Sequence, residues 1–294
     1  MLTFGPGQVL FDCTNQGLAS ENYPCGIPFE VLDAGYALFS VRHPRMPLEA
    51  QHLPTSWLME ETWLEALKTY TSLSITYPNK DELVALAGVA RRVARYRQDE
   101  YLAAFFRSDL PQSLVWWNSD AHKAYIPYRA PSWSWACMDG NLSFLSLTEQ
   151  SEILAEVVDV SVTPVTPDDI FGQIAAGTIV LRARPLVAVS LPASDVRRAL
   201  DIGIDVEAEE AYVWSMLDQT DVWNGPEGKR ILFPIVEVGY KSGLEEFNYH
   251  VYGIVLKPVD EATTLYYRVG HWSSHDPRIR DWIADREETT VAIL

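Results

Sequence analysis

The chain has 294 residues, of which 48% are hydrophobic and 12% aromatic, so it can bury a sizeable core in one large or two modest domains. Its 40 Asp and Glu residues outnumber 23 Lys and Arg residues, which gives a formal net charge of −17. This charge disfavours nucleic-acid phosphates and anionic membrane surfaces as partners. No window approaches 18 consecutive apolar residues, so the sequence predicts no membrane span.

The cysteines and the N-terminal residues indicate the cellular compartment. Cys13, Cys25 and Cys137 show no Cys-x-x-Cys spacing, and the N-terminal residues lack the charge and length of a targeting peptide. We therefore expect reduced thiols and a cytoplasmic location.

The first third of the chain contains one predicted strand and three predicted helices. Gln8–Cys13 is predicted as a strand, and residues 29–54 are irregular because prolines interrupt them. The first helix is predicted over about 55–72, with apolar residues three and four positions apart. The second follows a capping box at Asn79 and Glu82. The third is predicted from Asp99 to about residue 110, and it presents Phe105 and Phe106.

From residue 113 onward the sequence changes to short strands separated by Gly and Pro. The predicted strands are 113–117, 153–162, 178–191, 230–240, 250–257, 264–272 and 289–294. This pattern favours an antiparallel barrel or sandwich. We predict an α+β fold in a single compact domain, residues 1–294. It has a β-rich body, about 8–13 and 113–294, and a three-helix insertion, about 55–110, packed on it.

The most distinctive stretch runs from Pro131 to Asp139. Large and small residues alternate in it, which is the period of an extended strand. A strand would place Trp133 and Trp135 on one face as an aromatic wall. That wall is either the centre of a core or the lining of a pocket, and the core is the favoured interpretation.

These residues resemble a known family. Tyr128-Arg-Ala-Pro-Ser-Trp-Ser-Trp-Ala136, followed by Asp139-Gly140, is similar to the region downstream of the HET domain in fungal heterokaryon-incompatibility proteins. Further similar segments lie in the same order along the chain: 8–13, 19–21, 75–78, 81–90, 99–107, 251–258 and 267–270. The resemblance covers nearly the whole chain.

The chain departs from that family in one large respect. The HET domain carries a Tyr-x-x-Leu-Ser-Tyr-x-Trp-Gly type of motif, and no such segment occurs here. The resemblance therefore implies only the downstream half, and the activity of the HET domain is not carried over. Cys137 in place of the usual Ser, and Phe105-Phe106 in place of Leu-Trp, imply a changed aromatic interior.

Cofactor motifs are not present in the sequence. There is no Gly-x-Ser-x-Gly nucleophile elbow, dinucleotide fingerprint or P-loop, so we expect no nucleotide cofactor. His271, His275 and Asp276 have a spacing that suits a metal site on a helix. Because His271 is predicted to end a strand and His275 to lie in a loop, with no third ligand indicated, we predict no metal site.

Arg129 and His271 are the candidate catalytic residues, and both of them, like Arg268, have a structural alternative. Arg129 either polarises a substrate carbonyl or is a buried arginine held by a carboxylate such as Asp139, and Arg268 offers the same two options. His271 is either a general acid or base or a core histidine. The candidate substrate-binding residues are aromatic: Trp116, Trp133, Trp135, Tyr252, Tyr267, Phe105 and Phe106.

Two functions remain open from the sequence. The first is a cofactor-independent enzyme or binder for a hydrophobic small molecule, such as a cyclase or cycloaddition catalyst of fungal secondary metabolism. The second is a non-enzymatic recognition or regulatory module of a heterokaryon-incompatibility protein, for which a large exposed apolar patch would be evidence. The first is favoured because an acidic, aromatic-rich domain suits a pocket.

Overall fold

A computed structural model describes most of the second half of the chain and parts of the first. The described residues are 2–5, 8–13, 17–20, 63–64, 66–72, 78–118, 128–148, 150–188, 213–217, 230–242, 246–260 and 264–294. Cys25, the irregular stretch at 29–54 and the start of the first predicted helix lie outside them.

Three helical segments occur among the described residues. Residues 63–64 and 66–71 (α1) and Pro78–Arg97 (α2) confirm the first two predicted helices where they are described. The third, Arg278–Ala284 (α3), lies near the C-terminus. The predicted helix starting at Asp99 is wrong. That stretch is a short hairpin, in which Ala103 and Ala104 take positive φ values of 49° and 74° and reverse the chain between two buried pairs.

The strands follow the alternating patterns of the sequence. In chain order they are β1 (Leu2–Gly5), β2 (Gln8–Cys13), β3 (Gly17–Ser20), β4 (Tyr101–Leu102), β5 (Phe105–Phe106), β6 (Trp116–Asn118), β7 (Leu142–Phe144), β8 (Ser151–Ile153), β9 (Glu156–Pro164), β10 (Ile174–Ala183), β11 (Leu186–Ala188), β12 (Trp214–Leu217), β13 (Arg230–Ser242), β14 (Glu246–Pro258), β15 (Leu265–Ser274) and β16 (Thr289–Ile293). Every predicted strand region except the one at Pro131 contains a described strand.

One large sheet organises the described chain. Seven strands follow the order β11-β13-β14-β15-β16-β10-β9, while β12 pairs with β15 and β8 with β13. All of these pairs are antiparallel except β15–β16. The α+β class with a large, mostly antiparallel sheet is therefore confirmed, and the pairings among the described strands form an open path.

The sheet carries a hydrophobic core on each face. The larger core is aromatic, and its fully buried side chains include Trp63, Trp116, Trp133, Trp135, Phe105 and Phe106. The buried apolar side chains of α1 and α2 also pack in this core. The smaller core packs α3, through Ile279 and Ile283, on Val251 and Trp272. Both faces are thus covered, and the smaller core borders the cleft described below.

The segment from Pro131 to Asp139 is not a strand, so that prediction is wrong. Trp135–Cys137 forms one 3-10 turn, which Ser134 caps by accepting a hydrogen bond from the Ala136 amide at 3.2 Å. The Ser134 hydroxyl also donates to the Ala103 carbonyl at 2.7 Å. A serine that bonds to nearby backbone groups in this way competes with strand pairing. The alternation of Trp and Ser therefore produces a turn with both indoles in the core.

Ser132 ties this turn to the large sheet. Its amide donates to the Leu294 carbonyl at 2.9 Å, and its hydroxyl donates to the same oxygen. The hydroxyl in turn accepts the Arg268 amide at 2.9 Å. Arg268 lies between the part of β15 that pairs with β16 and the part that pairs with β12. Ser132 therefore satisfies backbone groups at the point where the partner of β15 changes.

Candidate functional site

The predicted aromatic substrate residues lie in the larger core. Phe105 stacks on Trp133 with ring centroids 6.4 Å apart. The Trp116 indole donates to the Trp133 carbonyl at 3.2 Å, and the Trp135 indole donates to the Ala104 carbonyl at 3.1 Å. These side chains and Phe106 are fully buried, and their ring packing and backbone hydrogen bonds account for a structural role.

Arg129 holds the 3-10 turn together. Its Nε donates to the Ala136 carbonyl at 2.5 Å, and Nη2 donates to the Met138 carbonyl at 2.6 Å. Nη1 pairs with the Asp139 carboxylate at 2.8 Å. The guanidinium is buried and its donors face the protein's own backbone, which matches the structural alternative for this residue.

Arg268 makes similar contacts on the other side of the core. Its guanidinium carbon lies 3.4 Å from the Trp116 ring centroid, and its donors reach the carbonyls of Leu114 and Trp116 at 3.3 and 2.5 Å. The arginine therefore stacks on an indole and satisfies buried backbone oxygens at the same time.

His271 and Tyr252 share one face of β14 and β15, whereas Tyr267 is exposed. His271 is only 1% exposed and stacks on Trp117 at 5.1 Å. Burial, with the charge of Arg268 as a second cause, lowers the pKa of His271 to about 3. The imidazole is therefore neutral at pH 7, and its position is that of a core histidine.

Tyr252 lies in a more open position beside His250. Its hydroxyl is 3.2 Å from His250 Nδ1, and the two rings are 4.5 Å apart. Burial raises the pKa of Tyr252, with Tyr240 as a second cause, and burial and His275 together lower the pKa of His250. Both groups are therefore uncharged near neutral pH.

A cleft of about 610 Å³ opens on the other face of the sheet. Its apolar lining includes Leu154, Ala155, Val251 and Ile283. Charged side chains from β8, β9, β10, β13, α3 and the residues after α3 also line the cleft. The volume is in the range of small-molecule sites. None of the predicted aromatic residues lines this cleft.

Glu237 is the buried charged residue of this cleft. It lies on β13 directly opposite Glu152 of β8, and it is 4% exposed. Arg280 of α3 reaches over it, with its Nε 2.7 Å from Glu237 Oε1. Burial raises the pKa of Glu237 and Glu152 raises it further, while Arg280 opposes them. Glu237 is thus a carboxyl group that holds its proton more readily than a carboxyl in water.

Two more ion pairs border the cleft and are open to solvent. Arg182 meets Glu156 at 3.0 Å, and Arg184 meets Glu288 at 3.6 Å. Exposed pairs of this kind contribute about 0–1 kcal/mol. Their side chains can therefore separate and pair with charged or polar groups of a ligand at small cost.

Glu237, Glu152 and Arg280 are not among the residues predicted from the sequence. One signal was available, since Glu237 is the only charged residue in the apolar run from Ile231 to Val238. A carboxylate in a buried strand requires a partner or a function. Its partners come from β8 and α3, so they could be found only once the strand pairing was known.

Metal clusters, membrane-spanning helices and similar proteins provide no further indication of function. Within the described parts of the chain, no group of three or more His, Cys, Asp and Glu residues is arranged to hold a metal ion. None of the described helices is long and apolar enough to cross a membrane. Comparisons with models of protein families, with curated proteins and with solved structures gave no match. The resemblance to the region downstream of HET domains stays a prediction.

Proposed function

We propose that this chain is a cofactor-independent enzyme or binder for a small molecule with an apolar body, and that the cleft beside Glu237 is its site. The observation that carries the proposal is a buried carboxyl group, Glu237, in a cleft of about 610 Å³. Such a cleft with a few converging polar groups and a perturbed pKa is the usual form of a small-molecule site. The site is placed here because Trp133 and Trp135 are fully buried.

Glu237 supplies the chemistry in this proposal. A carboxyl whose pKa is raised by burial is a stronger base and can act as a general base or acid, and a positioned acid or base contributes about 10²–10⁴-fold to a rate. Arg280 and Glu152 adjust that proton affinity in opposite directions. Protonation of a substrate against Val251 and Ile283 would start a cyclisation, which is the type of reaction expected from the sequence. We extend the proposal to fungal secondary metabolism and to the cytoplasm.

The position of the cleft agrees with the predicted barrel. β8 pairs with β13, and β9, which follows after two residues, pairs with β10 at the other end of the strand order. Residues from both ends of the sheet therefore line one cleft. We infer that the sheet curls toward a barrel here and that the cleft is its mouth.

The test is a ligand screen followed by NMR of methyl-labelled protein. Small carbonyl compounds with an apolar ring or chain are expected to shift the methyl signals of Val251 and Ile283. Glu237→Gln is expected to weaken the hits by about tenfold, because a hydrogen bond to a charged carboxylate contributes about 1.5–3 kcal/mol.

The matched control is Glu287→Gln, an exposed carboxyl outside the cleft. It is expected to leave the affinities unchanged. If no compound shifts the two methyl signals, or if the hits bind Glu237→Gln as tightly as wild type, the cleft is not the site.

A recognition module is the second candidate function, and a different surface supports it. Among the described strands β9 pairs only with β10. Three exposed apolar side chains lie on β9 and in the connection that follows it, Val158, Val165 and Ile170, at 42%, 54% and 45% exposure. If recognition is the function, Val158→Ser with Val165→Ser removes it in cells, whereas Glu237→Gln does not.

A further inference from the structure

Two histidines come together on the sheet face opposite the cleft. Val251 lines the cleft, so its neighbours on β14, His250 and Tyr252, project from the other face. His275 follows the last residue of β15, one position beyond the Val251–Ser274 pair. The rings of His250 and His275 are 5.8 Å apart at an interplanar angle of 87°.

This distance suits two imidazoles that bind one ion. A nitrogen–metal bond is about 2.0–2.1 Å, so imidazoles at a tetrahedral angle have centroids on the order of 5 Å apart. The observed centroid distance of 5.8 Å is close to this value. His275 is exposed and His250 is partly exposed, so an ion from solvent can reach both.

Tyr252 orients one of the two rings. Its hydroxyl lies 3.2 Å from His250 Nδ1. When Nδ1 carries the proton and donates it to the hydroxyl oxygen, Nε2 keeps its lone pair for a metal. Metal-binding histidines commonly use their second nitrogen in this way, which fixes the ring and its tautomer.

We propose that His250 and His275 form a two-histidine site for a late first-row divalent ion such as Cu²⁺, Ni²⁺ or Zn²⁺, with Tyr252 as the positioning residue. Imidazole is a preferred ligand of these ions, and water completes the coordination. Asp276 is not a ligand, because its carboxylate pairs with Arg278 at 2.6 Å. The site lies on the opposite face from Glu237 and does not depend on the function proposed for the cleft.

The test is titration of untagged protein with Cu²⁺ and with Zn²⁺, by calorimetry and, for copper, by electron paramagnetic resonance. One equivalent is expected to bind, with coupling to two nitrogens in the copper spectrum. His250→Gln and His275→Gln should each abolish this binding. Tyr252→Phe, which keeps the ring, should weaken it by about tenfold or more.

His122→Gln is the control, because it removes a histidine elsewhere in the sequence and is expected to change nothing. The proposal is overturned if neither ion binds, if the ions bind equally well to the two histidine variants, or if copper shows sulfur coordination. If the histidine variants lose binding but Tyr252→Phe has no effect, the two histidines bind the ion only adventitiously. That result would also overturn the proposal, because Tyr252 would not orient His250.

Discussion

At the scale of single residues, buried charged side chains form two groups, which differ in the partners of their polar atoms. Arg129 and Arg268 donate to backbone carbonyls next to the large indoles, so their charge stabilises the aromatic core. Glu237 instead meets Arg280, a side chain that is 46% exposed and reaches in from α3. The exposed Arg280 side chain can move away from Glu237 and admit a ligand, whereas hydrogen bonds to backbone carbonyls in the core cannot open in this way. This difference places the candidate chemistry at Glu237.

His271 gives a prediction on the pH dependence of stability. Its pKa is about 3 in the folded protein and 6.5 as a reference for the unfolded chain. Below pH 6.5 the unfolded chain therefore takes up a proton that the folded protein does not. Stability from this group is complete above pH 6.5 and is lost as the pH falls from 6.5 toward 3. Between pH 7 and pH 5 the loss is about 2 kcal/mol.

Urea unfolding at pH 7, 6 and 5 measures this loss. His271→Phe keeps a ring against Trp117, and it should show a shallower decline of unfolding free energy with falling pH than wild type does. An unchanged slope in His271→Phe would contradict the assignment, whatever the absolute stability of that variant.

At the scale of elements, the contact between the turn at Pro131 and β10 depends on a glycine. A Cβ added at Gly177 would lie 2.4 Å from Pro131 Cγ and 3.4 Å from Trp133 Cζ2. The proline ring is rigid, so the turn or the strand has to move. Gly88, in the middle of α2, has nothing within 4 Å of the same position.

The two glycines therefore predict opposite results for one substitution. Gly177→Ala is expected to destabilise the protein by about 1–3 kcal/mol, the range for overpacked sites. Gly88→Ala is expected to stabilise it by about 0.5–1 kcal/mol, since alanine favours a helix interior. The midpoints of urea unfolding of the two variants and the wild type, measured side by side, test these stability changes. Equal shifts in the two variants would mean that Pro131 does not pack on β10 as described.

The strands of the large sheet were predictable because their apolar alternation is local. The turn at Pro131 was not, since Ser134 bonds to Ala103, which lies 31 residues away in the sequence. The same holds for the hairpin at Ala103 and Ala104, where buried aromatic residues on both sides of a reversal resemble a helical stripe. Local periodicity cannot distinguish these cases, because tertiary contacts decide them.

The candidate sites were less predictable than the strands. Glu237 faces Glu152, and His250 meets His275, across pairs of strands. Such neighbours depend on register, and a shift by one residue would send each side chain to the other face. The sequence singled out His271 and His275 as a pair, but His271 is buried beside Trp117, whereas His275 is exposed and meets His250.

At the scale of the whole molecule, β16 joins two parts of the sheet. It pairs with β10 over five residues and with β15 over two. The last residue strengthens this link, because the Leu294 amide donates to the Tyr266 carbonyl and its own carbonyl accepts the Ser132 amide, both at 2.9 Å. Among the described strands, β16 is thus the hydrogen-bonded partner that joins the β9–β10 pair to β15, while β8 and β11, its neighbours in sequence, pair with β13.

Deletion of residues 289–294 should separate these parts. It removes Val291 and Ile293, both buried in the larger core, and the partner of one edge of β10. Hydrogen exchange followed by mass spectrometry is expected to show lost protection in β9 and β10, because their outer edge already lacks a partner among the described strands. Ile293→Val, which costs about 1 kcal/mol but keeps the strand, should leave that protection in place. Protected β9 and β10 amides in the truncated chain would show that the turn at Pro131 and the links to β8 and β11 hold this part of the sheet without β16.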